Sequence, residues 1–173
     1  DLVILAARPS MGKTALALNI IEAAALSRPE HLVGRPPVVL LFSLEMGKES
    51  IIQRMLCSRA RVDAHKLRTG RIPDDDYSAL SQAAGEISHT AFFIDDTPGL
   101  SVMSMRGRAR RLKAKHGLDL IVLDYLQLMT HPKAESRQME VSEISRSLKA
   151  LARELEVPVV ALAQLSRAVE GKD

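Results

Sequence analysis

Cysteine is nearly absent: Cys57 is the only one in 173 residues. That excludes a disulfide framework and any cysteine-based metal site, and a reducing, cytosolic compartment is the default expectation. No apolar run approaches the roughly 20 residues that span a bilayer, and no signal peptide is visible, so no membrane role is expected. Internal repeats and low-complexity tracts are also lacking. Neither sign of charge dominates: the formal net charge is +3 and the pI is near 9.2. Such mild basicity permits a nucleic-acid partner without demanding one. What is present suits one α/β domain with a full core: 46% hydrophobic and 26% charged residues. The first residue is Asp1 rather than methionine, directly ahead of a strand, which leads to the expectation of a piece cut from a longer protein.

The chain is organised around Ala6–Thr14, A-A-R-P-S-M-G-K-T. An apolar run, Leu2–Ala6, precedes it and an amphipathic run, Ala15–Leu26, follows, giving strand, tight loop and helix. Gly-Lys-Thr is the chemically decisive half of a phosphate-binding loop, in which successive backbone N–H groups and a helix N-terminus surround nucleotide phosphates. Ser10, Met11, Gly12, Lys13, Thr14 and Ala15 form the expected cradle, with the Lys13 ammonium on the β/γ-phosphates and the Thr14 hydroxyl on Mg²⁺. The pattern G-x-x-x-x-G-K-[ST] wants glycine at position 7, where this chain has Ala7. The loop must therefore enter in a conformation alanine allows.

Strands and helices alternate along the rest of the chain. Val38–Phe42 and Leu120–Leu123 are uninterrupted apolar runs, as for strands buried on both faces of a parallel sheet. Phe92–Ile94 and Val159–Ala163 supply two more strands. The first helix is expected to bury Leu16, Ile20, Ala23 and Ala24; further helices cover Ile51–Leu56 and Asp74–Ser88. A helix capped by Ser101 carries the stripe Val102, Met105, Ala109 and Leu112, and a last one buries Ile144, Leu148, Leu151 and Leu155. Ala64–Ile72 reads as a short helix and turn, Ser27–Pro37 as a surface loop and Thr130–Gln138 as irregular. Five strands alternating with helices argue for a parallel sheet.

Ligands of open parallel sheets sit outside the carboxyl ends of the strands. Four strands deliver a polar candidate there: the phosphate loop, Glu45, Asp124 and Gln164. Asp124 ends L-I-V-L-D, the setting of a carboxylate that holds Mg²⁺. Glu45 suits the base that deprotonates an attacking water, and the Gln164 amide suits a group that responds to hydrolysis of the γ-phosphate. Taken singly, Glu45 reads more readily as a helix cap and Gln164 as a loop-bonding residue. Their arrival at one edge with Gly-Lys-Thr favours a nucleotide hydrolase. Asp95 and Asp96 reach the same edge from a strand taken as peripheral, and are assigned to turn bonding. Arg106, Arg110 and Lys113 line one side of the Val102–Leu112 stripe, and Arg108, Arg111 and Lys115 the other. The default for that helix is a solvated face; contact with nucleic acid through Arg110 and Arg111 is the alternative, and no aromatics interleave the charges.

With these residues placed, the chain resembles the C-terminal ATPase domain of the bacterial replicative DNA helicases, the DnaB family. The matching stretches are A-R-P-S-M-G-K-T, F-S-L-E-M, L-D-Y-L-Q-L-M, E-V-S-E-I-S-R-S-L-K and A-L-A-Q-L-S-R, in the family's order across nearly the whole chain. The resemblance implies a RecA-like P-loop NTPase fold over residues 1–173, with a five-stranded parallel sheet in the order 3-2-4-5-1 flanked by helices. It implies ATP and Mg²⁺ as ligands and a ring hexamer moving 5′ to 3′ on single-stranded DNA, with primase and a helicase loader as partners. Lys13 and Thr14 become the phosphate and Mg²⁺ residues, Glu45 the catalytic base, Asp124 the Walker B acid and Gln164 the γ-phosphate sensor. Relatives also carry an N-terminal primase-interacting domain and linker helix, a later DNA-contacting loop, an arginine finger and further strands beyond the first. Their lack leaves Leu2–Ala6 expected as a bare edge, and the isolated chain as marginally stable or self-associating, with slow turnover. Two alternatives stand beside this reading: a recombinase or clock-type RecA-like ATPase, and a module that binds ATP without turnover.

Overall fold

The computed structural model describes residues 1–30, 32, 34–129 and 137–165, without the side chains of residues 137 and 138. Five parallel strands form one sheet: β1 (Leu2–Ala7), β2 (Val38–Ser43), β3 (Ala91–Asp95), β4 (Leu120–Asp124) and β5 (Val159–Gln164). Their spatial order is β1-β5-β4-β2-β3, the order the resemblance implied. Among the described residues the strands are connected by the helices α1 (Lys13–Leu26), α2 (Lys48–Ala60), α3 (Ala64–Thr69), α4 (Asp74–Ser88), α5 (Val102–His116) and α6 (Arg137–Leu155). A 3-10 turn, Leu126–Leu128, follows β4.

The central strands alternate between two cores, which is why their sequences are apolar throughout. Leu40, Phe42, Ile121, Leu123, Val159 and Ala161 pack under α5 and α6 with Met105, Ala109, Ile144, Leu148 and Leu151. On the other face Val39, Leu41, Val122, Val160 and Leu162 pack under α1 and α2 with Leu18, Ile21, Ile51 and Met55. Every residue of β2 and β4 is buried. At the β1 edge, by contrast, Val3 and Ile4 are each 47% exposed.

Two expectations need correction. The core stripe of α1 is Ala17, Leu18, Ile21 and Ala25, whereas Leu16 is 52% exposed and Ala23 is exposed. The helix reads K-T-A-L-A-L-N-I-I-E-A-A-A-L, and its only polar residues past the first turn, Asn19 and Glu22, lie outside the buried stripe. With so few polar positions, contact with the sheet decides which of the many apolar residues go in. Its start also lies at Lys13 rather than Ala15, which brings the whole Gly-Lys-Thr segment into the first turn. The irregular stretch expected over Thr130–Gln138 lies outside the described residues except for its last two, which belong to α6. Ser166 and Arg167 also lie outside them.

Candidate nucleotide-binding site

Strand order sets the site. Because β1, β5, β4 and β2 are consecutive neighbours, the phosphate loop, Gln164, Asp124 and Glu45 line up side by side at the carboxyl edge of the sheet. Register tightens the alignment: Ala7 pairs with Gln164, and Ser43 with Asp124. The Leu44 N–H donates to the Asp124 carbonyl at 2.7 Å, so the Glu45 turn leaves β2 directly beside β4. Ser43, itself buried, closes that turn by donating its hydroxyl to the Met46 carbonyl at 2.6 Å.

Ala7 raises no difficulty for the loop. It still belongs to β1, and its carbonyl accepts from the Leu165 N–H at 3.1 Å, so no positive φ is needed there. The left-handed residues are Ser10, at φ 64°, and Gly12, at φ 79°. Together they swing the chain from strand to helix and leave Met11 71% exposed at the tip. Gly12 has nothing within 4 Å of where a Cβ would lie, so its requirement is conformational: an L side chain at that φ is strained.

The start of α1 differs from the other helix starts in chemistry. It has neither a side-chain cap nor an acid in its first turn. Among the described residues, α3 is capped by Asp63 and α5 by Ser101, α4 begins with three aspartates, and the Lys48 N–H of α2 donates to Asp96 Oδ2 at 3.0 Å. The amides of α1 are thus left open to an external anion, at the positive end of the helix dipole.

Opposite that opening stands Asp124, 2% exposed. Its Oδ2 accepts from the Thr14 hydroxyl at 2.7 Å, while its Oδ1 is buried with no hydrogen-bond partner among the described residues. An unpartnered buried carboxylate oxygen is costly unless something else fills the position. A hydroxyl and a carboxylate side by side are hard oxygen donors, which suits Mg²⁺. Among the described residues no group of three or more His, Cys, Asp or Glu could cage a metal. This also fits an ion that keeps waters and takes phosphate oxygens as ligands. The Lys13 ammonium lies 4.4 Å from the centre of the Tyr125 ring, a cation–π contact that holds it at the mouth of the site. Glu45 is exposed on its turn.

Neither Tyr125 nor Gln127 was singled out from sequence. The Gln127 side chain makes two hydrogen bonds with the Gln164 main chain, and both residues lie in L-D-Y-L-Q-L-M, whose Asp124 alone drew attention. Arg110 and Arg111 lie on α5, across the sheet from α1. The two sides of the helix are divided as its periodicity predicts, and Arg110, Arg111 and Lys115 are exposed as the solvated-face default expects, but several of the basic side chains are also tied to neighbours. Arg106 and Arg110 both pair with Glu154 of α6, and Lys113 donates to the Leu155 carbonyl. On the other side Arg108 pairs with Asp95, and Arg111 lines a shallow cavity along β3 of about 430 Å³. Asp95 accepts from the Thr97 N–H as a turn-bonding residue should, and holds Arg108 in addition.

Over residues 1–173 the chain matches the family described as DnaB-like helicase C terminal domain. It is 52% identical over 174 residues to the replicative DNA helicase DnaB of Geobacillus stearothermophilus, covering 99% of this chain and 37% of that protein. The replicative DNA helicase DnaC of Bacillus subtilis is 50% identical with the same coverage. The chain therefore spans little more than a third of the length of these relatives. A solved structure described as an ATPase domain superposes with a TM-score of 0.86 at 42% identity, covering all of this chain and 60% of that one. A DnaB-like replicative helicase, solved with attention to its interactions with primase, gives 0.85 at 41% identity, covering all of this chain and 41% of that one. No helix among the described residues is long and apolar enough to cross a membrane.

Proposed function

The chain belongs to the DnaB-like helicase C-terminal domain family, and we propose that it is the ATP-hydrolysing motor of a replicative DNA helicase, acting in the cytoplasm. In this reading ATP hydrolysis is coupled to 5′–3′ movement of a homo-hexamer on single-stranded DNA, with primase and a helicase loader as partners. The observation that carries it is the Thr14–Asp124 pair, with its unpartnered Oδ1, facing a helix start left uncapped. Open amides, a lysine, a hydroxyl and a buried carboxylate converge there, as binding a nucleoside triphosphate with a divalent cation requires.

The residues divide the work. Amides from Ser10 to Ala15 take the phosphate oxygens, and Lys13 leaves the Tyr125 ring to neutralise charge on the β- and γ-phosphates. Thr14 and Asp124 would hold Mg²⁺, which supplies charge neutralisation when bound. Glu45, on its exposed turn, takes a proton from water as the water oxygen attacks the γ-phosphorus and the bond to the β-bridging oxygen breaks. The Gln164 amide donates to a γ-phosphate oxygen. Single-stranded DNA contact is assigned to Arg110 and Arg111. Arg111 is its stronger half, because Arg110 already serves Glu154.

The direct test is Lys13→Ala in a full-length helicase carrying this domain. ATP hydrolysis is expected to disappear and nucleotide affinity to fall, since no other cation of the loop reaches those phosphates. Near-normal turnover would remove the phosphate-loop assignment.

A further inference from the structure

The ladder between β4 and β5 ends at the pair Leu123 and Ala161, short of the site. Beyond it β4 turns away through Asp124 and Tyr125 into the 3-10 turn, while β5 runs on to Gln164. The gap is bridged by one side chain. Gln127 Nε2 donates to the Gln164 carbonyl at 2.8 Å, and Gln127 Oε1 accepts from the Gln164 N–H at 3.1 Å. The side-chain amide thereby stands in for one more peptide of the missing ladder. Its orientation is dictated by its partners, because the N–H of Gln164 only donates and its carbonyl only accepts. On its other side Gln164 pairs in register with Ala7, where the phosphate loop begins. The main chain at Gln164 is thus gripped from the phosphate-loop strand and from the segment that follows the metal-binding carboxylate.

We propose that Gln127 is a positioning residue for ATP hydrolysis: its two hydrogen bonds fix the backbone of Gln164 so that the Gln164 amide meets the γ-phosphate. The proposal rests on the ATPase reading above. Among side chains of similar length only glutamine supplies both halves of the clamp. Glutamate keeps the shape and can accept from the Gln164 N–H, but it sets an oxygen against the Gln164 carbonyl. Alanine removes both bonds and lets water solvate the strand end. A displacement of about 1 Å at a group that meets the reacting phosphate is enough to cost on the order of 100-fold in rate.

The test compares wild type, Gln127→Ala, Gln127→Glu, Gln164→Ala and the double alanine variant in a full-length helicase carrying this domain, by ATP turnover, KM for ATP and thermal melting. Both Gln127 variants are expected to lose about 10-fold to 100-fold in kcat, with KM and the melting midpoint near wild type. The double variant should be no slower than Gln164→Ala alone, because both changes remove the same interaction. Wild-type kcat in either Gln127 variant would overturn the proposal. So would losses that multiply in the double variant, or a kcat that falls only in step with KM and the melting midpoint. A wild-type protein without ATPase activity would instead overturn the functional reading itself, and this inference with it.

Discussion

Asp124 and Asp95 close two strands of one sheet at the same edge, after the similar runs L-I-V-L and F-F-I, yet they do opposite things. At the end of β3, Arg108 Nη1 lies 2.6 Å from both Asp95 oxygens and also donates to the Thr97 hydroxyl at 2.6 Å. Burial pushes the Asp95 carboxyl up. Hydrogen bonds from the Arg108 and Thr97 side chains and the Thr97 N–H outweigh it, helped by the Arg108 charge, and hold the group below the usual carboxylate range. At the end of β4, Asp124 is more deeply buried, accepts from the Thr14 hydroxyl and is given no ion pair among the described residues; Lys13 rests on Tyr125 instead. One carboxylate is finished by its own chain, while the other keeps one oxygen unbonded among the described residues, as the proposed cation site requires. The helix starts repeat the contrast, with Asp96 closing α2 and nothing closing α1. What sets the candidate acid apart is less its position at a strand end than the partners the fold withholds from it.

The comparison is broken most severely at Glu45. Glu45→Gln should preserve nucleotide binding while hydrolysis falls by about 100-fold or more, as when a general base is lost. Parallel loss of binding and turnover would make Glu45 a structural residue, on the satisfied side of the edge. Next in size, Arg108→Ala should cost about 1.5 kcal/mol of stability by leaving Asp95 without its charged donor, read as a lower midpoint in denaturant melts. An unchanged midpoint would show that Asp95 needs no partner.

Acid sharpens the same point. Because the folded-state value of Asp95 is depressed, its contribution to stability is present above its unfolded value, about 3.9, and is lost as pH falls through the lower folded value. The stability gap between wild type and Asp95→Asn should therefore close as pH drops below about 4. A gap independent of pH would contradict the ion pair. The smallest effect is expected on α5. Replacing Arg110 and Arg111 together by alanine should weaken single-stranded DNA binding modestly and flatten its salt dependence. An unchanged salt slope would assign both to the internal ion-pair surface that already includes Glu154.

Much of this was legible in the sequence, for identifiable reasons. Val38–Phe42 and Leu120–Leu123 announce buried strands because a sheet covered on both faces admits no alternation. Gly-Lys-Thr and L-I-V-L-D mark the loop and the acid because strand-end placement is fixed within a residue or two. Rotation of α1 was hard to read, since only Asn19 and Glu22 mark its outer side and the many apolar residues leave the choice of Leu18 over Leu16 largely to the sheet. Sidedness of α5 followed from periodicity, but its partners Glu154 and Asp95 are 44 and 13 residues away and leave no local trace. Gln127 was invisible for a related reason. Its partner is the backbone of a residue 37 positions later, and a main-chain contact imposes no pattern on sequence.

The central claim, that Asp124 is held open for a divalent cation while Asp95 is not, is tested most directly by the Mg²⁺ dependence of ATP binding in Asp124→Asn and Asp95→Asn. Mg²⁺ should tighten ATP binding in wild type and in Asp95→Asn alike. It should have little effect in Asp124→Asn, although that variant stays folded and still binds the nucleotide weakly. If Asp124→Asn kept the full Mg²⁺ response, or Asp95→Asn lost it, the division of the edge into a finished half and an open half would be wrong.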